Sequence, residues 1–132
     1  MTGLDTNVLV RYLVRDDPGQ TAKATRFIEA ECTSESPGHI SRIVLCELVW
    51  VLIGGYGYDK KDVLNVLEHL LAVTQLHVET PQAVKPAVAA YASGSADFAD
   101  YLIVQTNRAD GCARTVSFDK RAAKAGAFSL LS

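Results

Sequence analysis

Apolar and polar positions alternate along the chain in short blocks. The first apolar segment, Thr2 to Leu4, stops at Asp5, and a helical pattern over Val8 to Val14 follows Asn7. Asp16 and Asp17 break that pattern, and Pro18 suits the first turn of a new helix with Asp17 as its N-cap. This second helix is expected to run to about Cys32, with Ser34 to Gly38 a loop by composition. His39 to Ile43 predicts a strand, leading into a helix from Val44 to Ile53 that Gly54, Gly55 and Gly57 end. Asp59 caps the next helix, in which Val63, Leu64, Val66, Leu67, Leu70 and Leu71 form a wide apolar face. A short strand over Gln75 to Val78 precedes a helix from Thr80–Pro81 to about Tyr91. After a turn at Ser93 to Ser95, the pattern predicts a helix over Asp97 to Ala109 stopped by Gly111. A strand over Thr115 to Phe118 then ends at Asp119, and a short helix and an apolar piece, Phe128 to Leu131, follow. Strands alternating with helices predict an α/β fold, a short parallel sheet flanked by helices on both faces.

Size and composition narrow this further. At 132 residues, one domain over 1–132 is expected, and 48% hydrophobic residues mark a globular chain. No apolar run reaches the ~18 residues of a membrane span, and Asp5 and Asn7 stand where a leader would be apolar. A cytoplasmic protein without membrane association is therefore expected. Cys32, Cys46 and Cys112 have no zinc spacing and are expected as small buried or half-buried thiols. His39, His69 and His77 also lack ligand spacing. A net charge of −2 argues against a broad basic surface that coats nucleic acid. Neither glycine-rich phosphate-loop pattern occurs.

The acids carry the chemistry. Asp5 and Asp119 both follow strands, and ligands of open parallel sheets bind beyond the carboxyl ends of strands. Each also suits an ordinary turn or cap. Glu47 is the one charge between Arg42 and Asp59. Leu45, Leu48, Val49, Leu52 and Ile53 form an apolar stripe on its helix, which Val44, Trp50 and Val51 widen. A helix apolar on most sides is expected to be buried, so Glu47 needs a cation, a salt bridge or a proton. Asp97 and Asp100, three apart, share a helix face and equally suit capping. Two like charges ~4 Å apart repel by about 4 kcal/mol at an effective dielectric of 20, so carboxylates meeting in one pocket either protonate or recruit a cation. Oxygen-only donors suit Mg²⁺ or Mn²⁺.

Four segments together resemble the PIN-domain nucleases. They are Asp5-Thr6-Asn7-Val8, Ser41-Arg42-Ile43-Val44-Leu45-Cys46-Glu47-Leu48, Asp97-Phe98-Ala99-Asp100-Tyr101-Leu102-Ile103, and Val116-Ser117-Phe118-Asp119-Lys120. Their order, spacing and the chain length match, and the Asp-Phe-Ala-Asp variant is most similar to VapC-type toxins of toxin–antitoxin modules. The resemblance implies a Mg²⁺- or Mn²⁺-dependent endoribonuclease, a homodimer held inactive by a cognate antitoxin. Asp5, Glu47, Asp100 and Asp119 match the family's acidic quartet, as catalytic residues and metal ligands. Asp97 matches a less regular extra acid, and Thr6, Asn7 and Ser117 match supporting positions. Thr2-Gly3 departs from the usual β-branched first strand, and Ser117 stands where Thr is common. Arg42, Lys120 and Arg121, which flank the acids, are the favoured RNA-binding candidates over Arg11, Arg15, Arg108, Arg114 and Lys124. Two rival functions are a PIN-like binding module without catalysis and a phosphatase of the haloacid-dehalogenase type. The latter needs an acid where Asn7 stands.

Overall fold

The computed structural model describes residues 1–131 of the 132. It is α/β, and it divides into two compact units, Met1–Glu79 and the residues from Thr80 onward. None of its helices is long and apolar enough to cross a membrane.

In the first unit, β1 (Thr2–Gly3), β2 (Gly38–Ile40) and β3 (Leu76–Val78) form a parallel sheet in that order. Gly3 pairs with His39, and His39 with His77. The weak first strand is indeed short, and both of its residues are exposed. α1 (Thr6–Val14) starts two residues before the apolar pattern does, because Asp5 takes extended N-cap geometry and its carbonyl accepts from Val8 N–H at 3.1 Å. α2 (Pro18–Arg26) begins as expected, with the Asp17 carboxylate accepting from Gln20 N–H. Its continuation to Glu31 is a π-helical turn, Phe27–Glu31. α3 (Arg42–Tyr56) outruns its predicted end: it passes through Gly54 and Gly55 and stops at Gly57, whose φ of 69° is the left-handed conformation that glycine adopts freely. Its N-cap is Ser41, whose hydroxyl accepts from Val44 N–H at 3.1 Å. α4 (Lys60–Ala72) opens with the expected Asp59 cap, reciprocated by Asp62.

Leu9, Ile28, Ile40, Leu45, Leu48, Leu52, Val63, Leu67 and Leu70 are the fully buried large side chains of this unit. α3 is not buried on most sides. Leu45, Leu48, Val49 and Leu52 face the core, while Ile43, Trp50 and Ile53 are 75%, 60% and 44% exposed.

The second unit contains α5 (Pro81–Ser93), α6 (Phe98–Ala109), β4 (Val116–Ser117), α7 (Lys120–Lys124) and β5 (Ser129–Leu130). α5 and α6 pack on one another, with the Tyr91 and Phe98 rings edge to face at 5.9 Å, and Val84, Ala87, Val88, Tyr101 and Leu102 on these helices are also buried. β4 and β5 pair in parallel. Within each sheet the strands pair in parallel, as the alternation predicts, and they are hydrogen-bonded as a set of three and a set of two.

Candidate functional site

In the first unit, β1 delivers Asp5 to the N-terminus of α1. Asp5 is exposed, and its carboxylate makes no capping hydrogen bond. The neighbouring Thr6 is buried and donates its hydroxyl to Glu47 Oε1 at 2.9 Å. The α1 N-terminus and the first turns of α3 are thereby tied together through Thr6 and Glu47. Glu47 itself is exposed, which corrects the expectation of a buried carboxylate. The expectation failed because Ile43, Trp50 and Ile53 leave one side of α3 open to solvent although that side is apolar in sequence. Asn7 is exposed and lines a cavity of about 470 Å³ with Leu4, Val8, Arg11, Ala24 and Phe27.

In the second unit three acids act on one another. Asp97 is the extended N-cap of α6, and its N–H donates to Asp100 Oδ2 at 3.2 Å. Asp119 caps α7 by accepting from Arg121 N–H at 2.9 Å and Ala122 N–H at 3.2 Å, both on Oδ1. The Ser117 hydroxyl accepts from Asp119 N–H at 3.0 Å. Burial pushes the Asp100 carboxyl above the usual carboxylate range, and the charges of Asp97 and Asp119 push it further, against the Asp97 N–H and the Arg121 guanidinium. Gly94 helps to aim this segment: a Cβ there would run into the Tyr101 hydroxyl, which accepts from Ala96 N–H at 3.2 Å.

Among the described residues, no three His, Cys, Asp or Glu side chains are arranged as a metal-holding group. The fit to a divalent cation is therefore one of donor chemistry. The acids present only oxygen, and Asp100 is destabilised as an anion in a way that a hard cation relieves.

The cations separate. Glu79 occupies Arg42 twice, accepting from its N–H at 2.9 Å and its guanidinium at 3.0 Å. Arg11 is held by Asp16 at 3.0 Å, with Gln20 and Tyr56 beside it. Lys120 and Arg121 are exposed. Cys32 and Cys46 are buried and half-buried as expected, whereas Cys112 is exposed beyond the end of α6, where no core covers it. One contact had no sequence signal in spacing alone: His39 and His77, partners on adjacent strands, lie Nδ1 to Nδ1 at 3.0 Å.

These features are those of an α/β domain with acids at strand ends and helix starts. The chain belongs to the PIN-domain family, whose model matches residues 4–127. Along nearly its whole length it is also similar to a particular member. The "VapC ribonuclease" of Aquifex aeolicus (strain VF5) is 27% identical over 123 residues, covering 93% of this chain and 90% of that protein.

Proposed function

We propose that the chain is a Mg²⁺- or Mn²⁺-dependent endoribonuclease, the toxin of a toxin–antitoxin module, with Asp5, Glu47, Asp100 and Asp119 as its acidic residues. One observation carries this reading above the others: the family match over residues 4–127 includes all four acids. The similarity to a VapC ribonuclease over 93% of the chain supports RNA as the substrate and an antitoxin protein as the partner. The phosphatase alternative falls away with the family membership. A binding module without catalysis is the outcome that intact RNA would support.

A divalent cation, when bound, supplies Lewis acidity toward a phosphodiester and an acidified water as nucleophile. Asp5, Glu47, Asp100 and Asp119 would hold it, with Asp97 as a further donor or solely a cap. The residues have separate tasks. Thr6 fixes Glu47 through one carboxylate oxygen and leaves Oε2 free for a ligand. Ser117 fixes the main chain of Asp119, whose Oδ1 is committed to capping while Oδ2 is not. Asp5, unencumbered by a cap bond, offers both oxygens. Asp5 or Asp100 would accept the proton of the attacking water. In-line attack leaves a 5′-phosphate and a 3′-hydroxyl.

The test is cleavage of mixed RNA by the purified chain in Mg²⁺, with and without EDTA, beside its Asp5→Asn variant. A homodimer in the cytoplasm is part of the same proposal. Sedimentation equilibrium should return twice the 14.2 kDa chain mass, and a monomer at micromolar concentration would remove that element. Co-purification with the protein encoded beside it tests the antitoxin.

A further inference from the structure

RNA brings negative charge to Asp97, Asp100 and Asp119, so a nuclease needs a cation there that is held in place and not neutralised beforehand. This inference rests on the proposed function. Arg121 meets the requirement from both ends. Its N–H is fixed by the Asp119 carboxylate at 2.9 Å, and its guanidinium Nη2 donates to the Ser95 carbonyl at 3.1 Å. Ser95 lies two residues before Asp97, so the side chain crosses from α7 to the segment that leads into α6. Its charge is felt at Asp100. Yet neither the Arg11–Asp16 nor the Arg42–Glu79 ion pair involves Arg121. A guanidinium has five N–H donors in a rigid plane, and one bond to a carbonyl orients that plane without neutralising it.

We propose that Arg121 is a phosphate-binding residue for RNA, presenting the open edge of its guanidinium as a bidentate donor beside Asp97, Asp100 and Asp119. Arg42 does not share this role, because Glu79 accepts from its main chain and its side chain alike. Lys120 is exposed and adjacent but has no anchoring contact, so it contributes charge without orientation.

Fluorescence anisotropy of a labelled single-stranded RNA tests this in the full chain carrying Asp5→Asn, so that binding is read apart from cleavage. Adding Arg121→Gln should weaken binding about 10-fold and reduce the salt slope by about 0.7, the loss of one phosphate contact on a single strand. Arg121→Lys should restore part of the affinity, and Lys120→Gln should weaken binding much less. In the chain with Asp5 intact, Arg121→Gln should raise KM and leave kcat within about threefold, as loss of uniform binding does. Binding unchanged by Arg121→Gln, or weakened no more than by Lys120→Gln, overturns the assignment, as does a parent chain that binds no RNA. If the parent binds RNA but the chain with Asp5 intact cleaves none in Mg²⁺, the nuclease proposal fails, while the anisotropy series still decides Arg121.

Discussion

Asp100 pays a cost for standing where it does. Its folded-state carboxyl lies above the ordinary range, through burial first and then the charges of Asp97 and Asp119. For an acid raised in this way, the penalty is absent in strong acid, where both states are protonated. It grows as pH rises through the ordinary carboxylate range and is complete above the raised folded value. Asp100→Asn keeps an acceptor for the Asp97 N–H and removes the charge. That variant should raise Tm at pH 7 in EDTA while abolishing cleavage, a gain in stability at the expense of function. A lowered Tm would show that Asp100 is there for stability. Glu79 has the opposite sign. Hydrogen bonds from the Arg42 main chain and guanidinium hold its carboxyl below the usual range, with the charges of Arg42 and His39 adding to them. Its contribution is present above the ordinary Glu value and is lost as pH falls through the depressed one. Glu79→Gln should therefore lower stability at pH 7, and its difference from wild type in urea titrations should close in acid. A gap that stays constant down to low pH would contradict that account. The contact between Ser117 and Asp119 was legible from sequence, since the two lie two residues apart, unlike the Thr6–Glu47 bond, which spans 41. The engagement of Arg42 was not, because its partner Glu79 is 37 residues away.

The starts of α2 and α4 fall as expected, but α1 and α3 begin at Thr6 and Arg42, two residues before the expected Val8 and Val44, and β2 ends at Ile40 and not at Ile43. Caps act locally: Asp17, Ser41, Asp59 and Asp119 each bond a main-chain N–H within three residues, which a sequence window contains. The end of α3 depended on which glycine adopts positive φ, and Gly57 did so while Gly54 and Gly55 stayed helical. Its outer face was misjudged because apolar content does not say which apolar side chains find neighbours. The two faces should respond differently to truncation. Leu48, fully buried, should lose about 2–5 kcal/mol on replacement by Ala. Ile43, 75% exposed, should lose about 0.5 kcal/mol or less, as surface changes do. Equal losses in chemical denaturation would mean that the outer face of α3 is covered in solution.

At the scale of the molecule, the alternation of strands and helices foretold an α/β fold with parallel strands, since parallel neighbours need crossover connections of helical length. It did not foretell strands of two or three residues hydrogen-bonded in two sets. Strand length is set by tertiary pairing, which Thr2–Gly3 and Val116–Ser117 obtain only briefly. Four short motifs in order made the family legible, and the match over residues 4–127 bears that out. The proposed nuclease draws its acids from both units, so the decisive measurement uses the whole chain. Labelled RNA incubated with the purified chain should be cut in Mg²⁺, remain intact in EDTA, and remain intact with Asp5→Asn or Asp100→Asn chains that keep the wild-type circular dichroism. Cleavage that persists in EDTA or in either folded variant, or RNA left whole by the wild-type chain in Mg²⁺, would contradict the account.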